Sequence, residues 1–114
     1  MSEYLITEQN GITVLKLSGF FFTDEDSEKI RFPIEDKIKD GINKMVIDLE
    51  NVSILGSISL GVLVRAHTNF IKNNGKLVLC NIKSKSVQDV LNITKLGSIF
   101  SIADSLDEAV DMLH

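Results

Sequence analysis

Apolar and polar positions alternate with a short period at the start of the chain. Tyr4-Leu5-Ile6 precedes Asn10-Gly11, and Ile12-Thr13-Val14-Leu15-Lys16-Leu17 follows it; two such runs around an Asn-Gly pair predict two strands joined by a hairpin. After Gly19 the aromatic run Phe20-Phe21-Phe22 gives way to Thr23-Asp24-Glu25-Asp26, a hydroxyl and three acids suited to the first turn of a helix. Ile30, Ile34 and Ile38 then lie four apart as one apolar stripe, and Gly41 is a natural stop. A helix is therefore expected from near Asp24. Pro33 lacks a backbone donor and crowds the turn before it, so the helix is expected to kink or to restart before Ile34.

Met45-Val46-Ile47-Asp48-Leu49 is short and almost wholly apolar, as in a central strand covered on both faces. From Ser57 the positions Leu60, Leu63, Val64, His67, Phe70 and Ile71 recur at helical spacing until Asn73-Asn74-Gly75. This predicts a helix of about four turns, with Leu60, Leu63, Val64 and Ile71 packed on a sheet and the first turn exposed. Lys76 to Asn81 forms another buried strand pattern, and Ser86-Val87-Gln88-Asp89 resembles a capping box opening a helix through Val87, Val90 and Leu91. Phe100-Ser101-Ile102 is a short strand candidate, and Ser105-Leu106-Asp107-Glu108 is a capping box before Ala109, Val110 and Leu113. The order is ββαβαβαβα. Strand–helix–strand units of this spacing form right-handed crossovers between parallel strands, so the expected fold is an α/β sandwich on a mixed, largely parallel sheet. With no internal repeat or linker composition, one unit over residues 1–114 is expected.

At 114 residues, 44% of them apolar and 25% charged, the chain has the composition of an ordinary soluble protein able to bury its own core. The net charge of -4, with Lys and Arg scattered among acids, argues against nucleic acid as a partner. Glu3, Glu8 and Gln9 interrupt any secretory leader pattern. The longest apolar-rich stretch, Ile54 to Val64, is broken by Ser57, Ser59 and two glycines, and falls short of the roughly 20 residues of a spanning helix. A cytoplasmic location without membrane insertion follows as the expectation. Cys80, the single cysteine, sits in Leu77-Val78-Leu79-Cys80 and reads as a small core residue.

Catalytic chemistry finds little support. His67 and the terminal His114 have no partners at metal-ligand spacing, and Gly56 and Gly61 do not form a nucleotide loop. Asp24-Glu25-Asp26 is explained by a solvated helix N-terminus without invoking a cation. Neither a catalytic residue, a metal nor a cofactor is expected, which leaves an enzyme without a site.

The segment Asp48-Leu49-Glu50-Asn51-Val52-Ser53-Ile54-Leu55-Gly56-Ser57-Ile58-Ser59-Leu60-Gly61 resembles the signature of STAS domains, the family of bacterial anti-sigma-factor antagonists. There a buried strand ending in Asp-Leu leads through an apolar turn to Asp-Ser-Ser/Thr-Gly-Leu-Gly and a helix. Leu17-Ser18-Gly19, Asn74-Gly75-Lys76-Leu77, Val87 to Leu91, Thr94-Lys95-Leu96 and Phe100 match further family positions, so the likeness spans nearly the whole chain. Ser57 falls on the phosphoacceptor serine, with Ser59 as second candidate. Gly56 stands where the family has an acid, Ile58 where it has a hydroxyl, Ser59 where it has glycine, and Phe22 where it commonly has another acid.

The resemblance implies a partner-binding surface of Gly56, Ser57, Ile58 and Ser59 flanked by Phe22 and Thr23. Its partner would be an anti-sigma factor or related serine protein kinase, with a PP2C-type phosphatase reversing the mark; ATP would belong to the kinase. Phosphorylation adds roughly 1.5 to 2 negative charges, which a helix N-terminus tolerates and an acidic or apolar partner surface does not. A different reading is a non-phosphorylated STAS subunit of a signalling scaffold or transporter complex, with Ile58 as an exposed apolar anchor. Ser57 alone is also compatible with a plain helix N-cap. Restoring an acid as Gly56→Asp is expected to alter partner choice more than folding.

Overall fold

In the computed structural model, which describes residues 1–114, Asn10 and Gly11 both take positive φ, 52° and 82°, the backbone that a two-residue hairpin turn requires. The hairpin joins β1 (Ser2–Gln9) to β2 (Ile12–Phe21), with Gln9 paired to Ile12. β3 (Lys44–Leu55), β4 (Lys76–Cys80) and β5 (Ser101–Ala103) complete a sheet of order β1-β2-β3-β4-β5, parallel except for β1. The helices α1 (Asp24–Lys39), α2 (Ser57–Lys72), α3 (Lys85–Ile93) and α4 (Leu106–Asp111) connect or follow these strands. The ββαβαβαβα order and the mixed, largely parallel sheet are those expected from the pattern of the sequence.

The sheet separates two cores. On one face Leu15, Leu17, Met45, Ile47, Leu49, Leu77 and Leu79 pack with apolar side chains of α1, α2 and α3. On the other, Val14, Val46, Val78 and Cys80 meet Ala109, Val110 and Leu113 at the C-terminal end. Adjacent side chains of a strand point to opposite faces, so β3 and β4, covered on both, need the continuous apolar runs their sequences carry. Cys80 is a free, fully buried thiol.

Four expectations are corrected. α1 runs from Asp24 to Lys39 with Pro33 inside it, so it does not restart before Ile34; Ile30, Pro33 and Ile34 are all buried, and this packing offsets the single hydrogen bond that the proline removes. Val52-Ser53-Ile54-Leu55 is the end of β3 and not a turn, because β2 continues beside it through register shifts at Lys16/Ser18 and Gly19/Phe20. α3 starts at Lys85, before the Ser86 box; Ser84 occupies the N-cap position, but its hydroxyl donates to the Ser53 carbonyl at 2.8 Å. In α2 the packed stripe comprises Leu60, Val62, Leu63, Ala66 and Phe70, whereas Ile71 is exposed. Ile71 lies a further 100° around the helix from Phe70 and has turned past the sheet.

Candidate functional site

β2 and β3 are parallel neighbours and end side by side, with Phe20 opposite Ile54 and Phe21 opposite Leu55. The two chains leave the sheet together: Phe22 and Thr23 lead into α1, Gly56 into α2. The Gly56 N–H donates to the Phe21 carbonyl at 2.7 Å and locks the two exits against each other. A Cβ on Gly56 would stand 3.1 Å from that carbonyl oxygen and 3.5 Å from Phe22 Cα. A side chain here requires the Phe21 carbonyl to shift by a few tenths of an ångström, whereas the distance to Phe22 Cα is ordinary contact.

Gly56 is the N-cap of α2 and offers no side-chain cap. Ser57 is therefore the first helical residue, exposed to solvent, and is not the N-cap that the sequence also allowed. The first helical hydrogen bond comes from the Leu60 N–H to the Gly56 carbonyl, 3.0 Å; the N–H groups of Ser57, Ile58 and Ser59 precede it and carry the positive end of the helix. No acid lies in this first turn, whereas α1 has Asp24, Glu25 and Asp26 in its own. Around the Ser57 exit stand two exposed apolar side chains, Phe22 at 56% and Ile58 at 42% of full exposure. Phe20, 45% exposed on the strand end leading to Phe22, extends the apolar character of this edge and was not singled out in the sequence.

Ser59 behaves differently from its neighbour. It is wholly buried, and its hydroxyl has no hydrogen-bond partner. Four residues before Leu63, it lies on the buried stripe of α2, which takes its side chain away from the exposed surface at Ser57 and Ile58. Gly56, Ser57, Ile58, Phe22 and Thr23 are brought together; the Ser59 side chain is not.

Thr23 has a structural duty. Its hydroxyl accepts from the Asp26 N–H at 3.1 Å, while Asp26 Oδ2 accepts from the N–H groups of Phe22 at 2.9 Å and Thr23 at 3.0 Å, a capping box. Asp26 Oδ1 also accepts from Ser2 Oγ at 2.5 Å, and Lys29 Nζ donates to the Ser2 carbonyl at 2.7 Å. The Ser2 hydroxyl, followed by the Thr23 and Phe22 N–H groups, holds the Asp26 carboxyl well below the usual carboxylate range. Asp26 thus fixes the loop that presents Phe22. The Thr-x-x-Asp spacing signals the box; the bond to Ser2 has no counterpart in local sequence.

Burial, with Asp48 and Glu50 adding repulsion, pushes the Cys80 thiol up to about 12, so it stays protonated at neutral pH. His67 packs edge-on against Phe100, ring centroids 5.7 Å apart. No group of three or more His, Cys, Asp or Glu side chains is arranged to hold a metal ion, and no helix is long and apolar enough to cross a membrane.

Known proteins share this architecture. The chain is 30% identical over 81 residues, 71% of its own length and 71% of the other's, to a Thermotoga maritima protein named "Putative anti-sigma factor antagonist". Among solved structures, an anti-sigma factor antagonist from Mycobacterium paratuberculosis superposes with a TM-score of 0.86 at 22% identity, covering 99% of this chain and 94% of that one. The Bacillus cell fate determinant SpoIIAA in its phosphorylated form gives 0.73 at 21% identity, over 97% and 99% of the two chains; at these identities the likeness is one of fold. The family model described as the STAS domain matches residues 3–109, nearly the whole of the sheet and its helices, and the chain belongs to the STAS domain family.

Proposed function

We propose that this protein is a partner-switching antagonist of an anti-sigma factor or a related serine-kinase-type regulator, bound when Ser57 is unmodified and released when Ser57 is phosphorylated. The observation that carries the reading is the position of Ser57: an exposed hydroxyl with no capping duty, at an acid-free helix N-terminus, beside Phe22 and Ile58. A phosphate there would gain from the unpaired N–H groups of the first turn, so the fold would tolerate it. The same charge would face whatever apolar surface covers Phe22 and Ile58, and its desolvation would oppose that contact. Binding would change while the fold stays. The relatives named as anti-sigma factor antagonists support the general role; a PP2C-type phosphatase would complete the cycle.

A second reading, constitutive assembly into a larger complex, draws on the same exposed Phe22 and Ile58. Co-purification from the native cell with wild-type, Ser57→Ala and Ser57→Asp chains separates the two. The switch predicts that wild-type and Ser57→Ala retain a common partner and that Ser57→Asp loses it. Equal recovery with all three would favour the assembly subunit and overturn the switch.

A further inference from the structure

A groove of about 770 Å³ opens between α3, the turn at Leu96–Ser98 and the C-terminal ends of β4 and β5. It shares no residue with the Ser57 surface, though both lie along the edge where the parallel strands end, the edge at which α/β sheets receive ligands. Its volume is that of a small-molecule site. Lys83 and Lys95 both line it, and neither belongs to an ion pair; those pairs join Arg31 to Glu28 and Glu35, and Lys85 to Asp89. Asp104 is the one carboxylate in the lining, so the groove carries an excess of positive charge on a protein whose net charge is -4.

Lys95 adds an independent observation. It follows the C-cap Thr94 of α3 and is held at φ 61°, a left-handed position that glycine takes freely and a lysine does not. A left-handed residue commonly closes a helix, and the one that closes α3 is a lysine whose side chain lines the groove. The Gln88 side chain donates to the Ile82 carbonyl at 2.9 Å, holding the segment that carries Lys83. Ile82 and Ile102 supply apolar lining.

We propose that this groove binds a small phosphorylated metabolite bearing hydroxyl groups: the phosphate between Lys83 and Lys95, a hydroxyl donating to Asp104, and the carbon frame against Ile82 and Ile102. The site is independent of the switching role of Ser57. The test is titration of the full chain with inorganic phosphate, glucose 6-phosphate and glucose, followed by amide NMR shifts. Both phosphates are expected to shift Gly97, Ser98 and Asp104 saturably, glucose 6-phosphate at lower concentration, and glucose is not. Lys83→Gln should weaken glucose 6-phosphate binding about tenfold. Lys95→Gly should weaken it about as much while raising the melting temperature, a pairing that a purely structural role for Lys95 does not produce. Absence of saturable shifts, equal binding of glucose, or undiminished affinity in Lys95→Gly would overturn the proposal.

Discussion

Ser57 and Ser59 stand two residues apart on one helical turn and meet opposite surroundings. The buried hydroxyl of Ser59 has no partner, and an unsatisfied polar group in a core is unfavourable. Ser59→Ala is expected to be neutral or to stabilise by up to about 1 kcal/mol, read from the urea midpoint. Gly56→Asp sets the gain of a side-chain N-cap on α2 against the 3.1 Å approach to the Phe21 carbonyl, so stability read from the urea midpoint should change by less than about 1 kcal/mol while the Phe22 amide resonance moves. Asp26 gives a pH-dependent prediction. Its carboxyl is held below its unfolded value, so its contribution is present above about pH 4 and is lost as the pH falls further toward the folded value. Asp26→Asn should lower the urea midpoint at neutral pH and flatten its decline below about pH 4; an unchanged acid limb would contradict the Ser2–Asp26 tie.

Among the elements, α2 joins stability to presentation. Leu63 is fully buried on its packed stripe, and Ile71 is exposed. Leu63→Ala should cost about 2–5 kcal/mol and Ile71→Ala less than about 0.5 kcal/mol, both read from denaturant midpoints. Equal midpoints would refute the helix face. The periodicity of 57–72 was enough to find this helix and to place Leu60 and Leu63 on its buried face, with Val64 half-buried beside them, because burial of one face repeats with the helical turn. It could not separate Phe70 from Ile71, since adjacent apolar residues at the margin of a stripe are assigned by the neighbour that covers them. Pro33 shows the same limit in α1: local chemistry allows a restart, and the helix continues through it with Ile30 and Ile34 packed in the core.

Across the whole molecule, the sheet and its crossovers were legible because their signals are local: Asn10-Gly11 for the hairpin, and apolar runs at Met45–Leu49 and Leu77–Cys80 for the doubly covered strands. The candidate site was legible as the chain order of Gly56, Ser57 and Ile58, with Phe22 and Thr23 set beside them through the family resemblance alone. Its long-range parts were not, since the Ser2–Asp26 bond spans 24 positions and the Phe21–Gly56 contact exists only once β2 and β3 pair. The proposed switch requires Ser57 to carry phosphate when the protein is free of its partner. The most direct test is site mapping by mass spectrometry of the chain isolated from its own cells, with partner-bound and partner-free fractions kept apart. Phosphate on Ser57 in the free fraction and its absence from the bound fraction is the predicted result; unmodified Ser57 in both, or equal phosphorylation in both, would contradict the switch.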